Sequence, residues 1–509
     1  MLAKIKSYGL VGINGYPVDI EIDISAGLPG YDVVGLADMA IKESKARVKS
    51  AIKNSLLKYP IHKVIINLAP ADTKKEGSMY DLPIALGILA AQGEIDCKDL
   101  KDYVVLGELS LDGDIRKING ILPMIISAKQ MGYNKFIIPK ENASEASFID
   151  KVEVYALSNL TEVVKLVKKE ETFTMVSNKE FSSEQEGNYK HDFAYVRGQA
   201  SAKRAMEIAA AGGHNILLIG PPGAGKTMLA KSFPTILPDL TFEESLEVTK
   251  IHSVAGVLDS SKGIVTERPF RSPHHTSTLI ALTGGGLKAK PGEISLAHNG
   301  VLFLDEMPEY QRNTIETLRQ PMEDGYITVA RNALTVQYPA DFILVASMNP
   351  CPCGYYGSSS NQCKCSPNAI HNYLSKISGP LMDRIDLHIE VDSIKYDELS
   401  ANFLEEPSKE IKQRVNAAKQ IQLKRFENTQ NYTNAKMGEK EFKKYCSLDK
   451  ECSVLLEMAF TKLNLSARAY KRILKVARTI ADLDSSENIQ KAHLLEAIQY
   501  RSLDKKYTV

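Results

Sequence analysis

At 509 residues the chain is too long for one hydrophobic core, and its length suits roughly two to four domains. A composition of 44% hydrophobic and 25% charged residues belongs to a folded protein, not a disordered or fibrous one. The 63 Lys and Arg against 62 Asp and Glu exclude a uniformly basic surface, so any contact with nucleic acid must come from local clusters of positive charge. The longest apolar run, near 82–91, falls well short of the ~20 residues a membrane helix needs. The first residues turn polar before a signal-peptide core develops, which points to the cytoplasm and to no membrane partner.

Taken in chain order, Val18, Ile20, Ile22 and Ile24 alternate with polar residues, the period-2 mark of a half-buried strand. Helical spacing follows over 38–57, then a strand at 64–68, a buried helix at 82–91, and short strands at 136–139 and 152–157. Residues 1–170 therefore read as an α/β domain. The polar stretch 171–192 reads as a linker. Residues 193–394 form a second α/β region, and 395–509, where strand signals fade and Lys- and Glu-rich helical spacing takes over, a helical domain.

The second region carries the chemistry. The apolar run 215–219 leads into Gly220, Pro221, Pro222, Gly223, Ala224, Gly225, Lys226 and Thr227, with helical spacing after it. This is G-x-x-x-x-G-K-[ST] between a strand and a helix, the arrangement of a P-loop for Mg-ATP. Glycines let backbone N–H groups curl round phosphates, the lysine reaches the terminal phosphates, and the hydroxyl of Thr227 serves Mg²⁺. About eighty residues on, an apolar strand ends in Asp305 and Glu306. The first carboxylate suits Mg²⁺, and the second suits orienting and deprotonating a water. A third strand, 342–347, ends near Asn349, a polar group fit to align that water.

These motifs, together with RPFRSPHH at 268–275, NPCPCG at 349–354 and GPLMDRIDLHIEV at 379–391, resemble the magnesium-chelatase-like AAA+ ATPases of the YifB/ComM type over essentially the whole chain. The resemblance implies a Lon-protease-like N-terminal domain, a P-loop AAA+ core with a parallel sheet, and a C-terminal helical lid. It also implies a homohexameric ring with ATP at subunit interfaces. Asn349 then takes the sensor-1 place, Arg384 the arginine-finger place and Arg468 the sensor-2 place. Read from the residues alone, Arg384 at the mouth of the alternating strand 385–391 suits that place, with pairing to Asp383 or Asp386 as the alternative, and Arg468 could lie on a solvated face. Insertions at 251–290 and 326–338 would face a central pore, with Lys288, Lys290 and Arg331 as DNA contacts. His274 and His275 read as interface or loop-ordering residues and not as metal ligands, because no carboxylate or cysteine accompanies them in the sequence. In the Lon-like domain the nucleophile and base places hold Met79 and Leu122, so proteolysis is not expected; Ser78 with Lys74 or Lys75 is the alternative dyad.

Cys351, Cys353, Cys363 and Cys365 make two C-x-C pairs, open between a Zn²⁺ site and four reduced thiols. The resemblance implies a motor on single-stranded or branched DNA, working by branch migration or helicase-type remodelling of incoming DNA during natural transformation. A magnesium-chelatase-type subunit for metal insertion into a porphyrin, and an ATP-gated DNA clamp without translocation, are the alternatives.

Overall fold

The computed structural model describes residues 2–182, 191–286, 289–331, 334–357, 362–393, 405–427, 433–463 and 465–507. Lys288, the segment 183–190 inside the expected linker, and the expected boundary near 394–395 lie outside them, as does Asn332.

The chain divides into two compact units, Met1–Ser182 with Phe242–Thr266, and Ser183–Thr241 with Glu267–Val509. The first unit is built on a seven-stranded sheet of β1 (Ala3–Val11), β2 (Asn14–Ser25), β3 (Gly30–Val34), β4 (Lys63–Ala69), β5 (Tyr103–Val105), β6 (Lys135–Pro139) and β7 (Glu153–Leu157). Their spatial order is β3-β4-β2-β1-β5-β6-β7. β1, β2 and β4 pair antiparallel, and the remaining neighbours run parallel. The expected strand at 18–24 is the buried-alternating part of β2, and β1, unassigned from sequence, is its hairpin partner.

Helix α1 (Met39–Asn54) is capped by Asp38, which accepts from the Ile41 N–H. Helix α2 (Asp81–Ala91) is buried at every position, which is why its sequence shows no amphipathic stripe. Helix α3 (Ile121–Gln130) carries Leu122 into a second apolar cluster, and α4 (Leu160–Val167) packs Val163 and Val167 into the first, which holds α2.

The helix Phe242–Ala255 belongs to this unit, although the sequence reading runs the ATPase core unbroken over 193–394 and keeps 251–290 in one insertion. Ser253 explains the difference. Its Oγ donates to the buried Glu145, and its carbonyl and Oγ both accept from the Gly120 N–H. Helical spacing announces such a helix but not the surface that completes its hydrogen bonds.

The second unit holds a parallel sheet of β8 (Ile216–Ile219), β9 (Phe270–Arg271), β10 (Gly300–Leu304), β13 (Phe342–Met348) and β14 (Leu387–Glu390), in the order β9-β10-β13-β8-β14. The hairpin β11 (Tyr326–Arg331) and β12 (Leu334–Pro339) stands apart from it. β8 and β10 are buried on both faces, as parallel strands under helices are. β14 is shorter than the alternation from 385 to 391 suggests, and His388 is buried along with Leu387, so the strand is covered on both sides.

Helices α5 (Ala200–Gly212), α7 (Ser408–Arg425), α8 (Lys450–Leu463), α9 (Ala467–Leu483) and α10 (Lys491–Gln499) share one hydrophobic cluster with the sheet, and α6 (Lys226–Ser232) contributes Leu229 and Ala230 to it. The helical C-terminal region is thus continuous in its packing with the expected ATPase core.

Candidate nucleotide-binding site

Register decides which side chains meet. Ile219 lies beside Met348 on one flank of β8 and Glu390 on the other, while Leu304 lies beside Ala346. β13 therefore stands between β8 and β10, and its exit carries Ser347 and Asn349 between the P-loop and Asp305. All carboxyl ends of a parallel sheet open on one edge, where connecting loops leave room for a ligand.

In the loop after β8, Gly223 and Gly225 have φ of +80° and +89°, a region that side chains with a Cβ rarely adopt. The turn delivers Lys226 to the first position of α6. Its Nζ donates to the carbonyls of Gly220 (2.6 Å) and Pro221 (2.9 Å) and to Asn349 Oδ1 (3.0 Å). Burial lowers this ammonium to about 8, against the opposing pull of Asp305 and Glu306.

Thr227 Oγ1 donates to Asp305 Oδ2 at 3.0 Å, so a hydroxyl and a carboxylate converge as the hard oxygen donors that Mg²⁺ takes. A glycine-lined loop, a lysine held by carbonyls it can exchange for phosphate oxygens, and this donor pair fit Mg-ATP.

One residue of this site, Ser347, escaped the sequence reading. Ser347, fully buried at the end of β13, donates to Asp305 Oδ1 and accepts from the Glu306 N–H at 3.1 Å, so one hydroxyl fixes both acidic residues. A lone serine closing an apolar strand was the available signal. Glu306 itself has φ +51°, a conformation that costs about 1–3 kcal/mol in a residue with a side chain. Its Oε2 lies 3.9 Å from His275 Nδ1, so a carboxylate does accompany that histidine. The segment carrying His275 is anchored by Tyr310, whose hydroxyl donates to the Pro273 carbonyl at 2.6 Å, and by the Arg271–Glu293 pair at 2.6 Å.

A second polar group gathers around Arg384, which is only 4% exposed. Its Nη1 donates to the Pro380 carbonyl at 2.7 Å and its Nη2 pairs with Glu323 at 2.5 Å. Neither Asp383 nor Asp386 is its partner, contrary to the alternative open from sequence. Asp383 faces Arg501 at 3.7 Å, and Asp386 is taken by Arg472, His214 and the Asn215 N–H. Burial pushes the Asp386 carboxyl up, but Arg472 and His214 outweigh it and hold it well below the ordinary carboxylate range.

Arg468 stands exposed in the first turn of α9, close enough to Glu323 to help lower that carboxyl behind the larger effect of Arg384. Neither bond of Arg384 reaches the P-loop of its own chain, and its Nε is buried with no acceptor among the described residues.

Of the basic residues, Lys290 is exposed in a short ribbon pairing Gly284–Gly285 with Lys290–Pro291. Arg331 ends β11, and Lys288 lies outside the described residues. Tyr338 on β12 donates its hydroxyl to the Ala289 carbonyl at 2.8 Å, joining the hairpin to the Lys290 ribbon. The sulfurs of Cys351, Cys353, Cys363 and Cys365 all lie within 4.8 Å of one another.

In the first unit, Met79 packs against the apolar cluster that buries Leu122. Ser78 Oγ donates to Glu108, Lys75 Nζ to the Thr73 carbonyl, and Lys74 pairs with Glu76, so neither lysine is bonded to the serine. Among the described residues no helix is long and apolar enough to cross a membrane.

The family description "Magnesium chelatase, subunit ChlI" matches residues 192–399; "Subunit ChlI of Mg-chelatase" matches 20–142, and its C-terminal counterpart 405–501. The chain is 43% identical over 505 residues to the "Uncharacterized protein YifB" of Escherichia coli K12, covering 99% of this chain and 98% of that one. It is 42% identical over 506 residues to the "Competence protein ComM" of Haemophilus influenzae, with the same coverage. The "Magnesium-chelatase 38 kDa subunit" of Cereibacter sphaeroides is 27% identical over 177 residues, 31% of this chain and 52% of that one. With its parallel-sheet P-loop site and near full-length likeness to YifB and ComM, the chain belongs to the YifB/ComM family of magnesium-chelatase-like AAA+ ATPases.

Proposed function

We propose that the protein is an ATP-hydrolysing ring motor acting on DNA, with hydrolysis at a site shared between subunits. The observation that carries the reading is the linked set Lys226–Asn349 and Thr227–Asp305, four side chains from three adjacent strand ends meeting at one place. Bound Mg-ATP supplies the phosphoanhydride and the charge neutralisation at its terminal phosphate. Lys226 exchanges its carbonyl partners for phosphate oxygens, and Thr227 and Asp305 hold the cation. Asn349 orients a water, and Glu306 takes its proton.

The buried Nε of Arg384 has no acceptor among the described residues, which supports a trans role in which a neighbour's γ-phosphate supplies one. Arg468 on the lid helix would add charge to the same event.

The DNA part of the reading rests on the basic segments joined by Tyr338, with Lys288, Lys290 and Arg331 contacting phosphates in the pore of a hexamer. It also rests on likeness to a protein named for competence, which favours branch migration or helicase-type remodelling of incoming strands in the cytoplasm. The packed apolar pair at Met79 and Leu122 favours a first unit that serves as a scaffold and not a protease.

The test is ATP turnover with and without single-stranded, duplex and four-way-junction DNA, using Lys226→Ala as control. Stimulation by a DNA form supports the motor, whereas stimulation by none removes DNA as the load. A metal-inserting subunit would instead respond to partner subunits.

A further inference from the structure

We infer that Cys351, Cys353, Cys363 and Cys365 form a structural zinc site that clamps the strand end carrying Asn349 to the P-loop. Three of the sulfur separations are 3.4, 3.7 and 3.7 Å, for Cys351–Cys353, Cys351–Cys363 and Cys353–Cys363. Four bonds of about 2.3 Å to one tetrahedral ion place the sulfurs ~3.8 Å apart, so one cation at their centre satisfies the spacing. Disulfides do not explain it: a sulfur–sulfur bond is about 2.05 Å, and all four cysteines are free. Packing does not explain it either, because three of the four are only partly buried.

Backbone N–H groups also face the sulfurs, those of Lys364 and Tyr355 toward Cys353, that of Cys365 toward Cys363 and that of Cys353 toward Cys365. Four soft ligands that leave no open position select zinc over Mg²⁺ or Ca²⁺ and make the site structural instead of catalytic.

Its position gives it a consequence. Cys351 is fully buried two residues beyond Asn349. The turn that follows is closed by the Gly354 N–H donating to the Cys351 carbonyl at 2.9 Å. Gly354 has φ +84°, and a Cβ there would lie 2.5 Å from Pro222 Cδ, so the cysteine loop rests directly on the P-loop. The cluster thereby fixes the distance between Asn349 and the loop that holds Lys226.

The experiment is metal analysis of the full-length protein, purified under reducing conditions without chelator, beside a Cys363→Ser/Cys365→Ser variant. The expected result is about one zinc per wild-type chain, released as a mercurial titrates the cysteines, with at least a tenfold loss of bound zinc in the variant. Exchange with Co²⁺ should give the sulfur-to-cobalt charge-transfer absorption of a four-thiolate site. If the variant does not fold, mercurial release and cobalt exchange on the wild type decide the question alone. Zinc below about a tenth of an equivalent with freely reactive thiols, a full equivalent retained by the variant, or iron in place of zinc overturns the inference. None of these readouts involves ATP turnover, so the metal site stands or falls separately from the ATPase reading.

Discussion

Each unit carries an α/β sheet and places residues where the family resemblance expects catalysis, yet the two have filled those places with opposite chemistry. In the first unit the nucleophile and base places hold Met79 and Leu122, joined in one apolar cluster. In the second, the ends of β8, β10 and β13 deliver Lys226, Asp305 and Asn349, with Lys226 hydrogen-bonded to Asn349 and Asp305 to both Thr227 and Ser347. The first arrangement gains stability from burial and can move no proton. The second keeps a desolvated ammonium and a left-handed Glu306, both costly unless a ligand uses them.

The sharpest way to break that comparison is to remove a polar group from the second unit. Arg384→Ala should lower ATP turnover about 10³–10⁵-fold, the range for a cation acting on transferring phosphate. If it acts in trans, mixing inactive Arg384→Ala and Lys226→Ala chains should recover part of the activity. A mixture as inactive as its components would show that Arg384 works within its own chain or only supports the fold. Glu306→Gln should cost about 10²–10⁴-fold in turnover, as expected for loss of a general base, while labelled ATP still binds. Full biological activity in this variant would favour an ATP-gated clamp over a motor.

The converse change falls in the first unit. Leu122→Ala opens a cavity in a cluster where the side chain is about 1% exposed, and should destabilise that unit by about 2–5 kcal/mol by calorimetry. Basal ATP turnover at a permissive temperature should hardly change. A large loss of turnover without unfolding would mean the first unit takes part in the ATPase cycle.

Much of the second unit was legible because its motifs are short and their spacing is imposed by phosphate chemistry. The P-loop, the Asp305–Glu306 strand end and Asn349 all fall within one site. Ser347 was not legible, nor was the approach of Glu306 to His275, since each contact forms only through residues brought together by parallel register or a loop anchor. The ion-pair partner of Arg384 was hidden for a related reason: sequence proximity offers Asp383 and Asp386 as the alternative, but those are held by Arg501 and Arg472 from the C-terminal helical region. In the first unit, β1 went unassigned, and the helix Phe242–Ala255 gave no sign that Ser253 would satisfy Glu145 and Gly120. Periodicity reports the faces of an element, not which distant surface covers them.

Two buried aspartates extend the contrast between the units to its finest scale. Asp386 meets Arg472, His214 and a backbone N–H and is held low. Asp81 in α2 is paired with Arg47 at 2.7 Å, yet burial pushes its carboxyl up to about 6, with Arg47 only partly offsetting it and Glu108 adding to it. A carboxyl whose folded pKa exceeds its unfolded value binds more protons when folded. Stability of the first unit should therefore fall as pH rises from about 4 to about 6, with a slope from this group approaching ~1.4 kcal/mol per pH unit. Asp81→Asn mimics the protonated form and should remove that slope, leaving the unit's calorimetric transition flatter across the same interval. If the wild-type transition instead rises over this interval, and Asp81→Asn abolishes the rise, then Arg47 outweighs burial and both aspartates are held as anions.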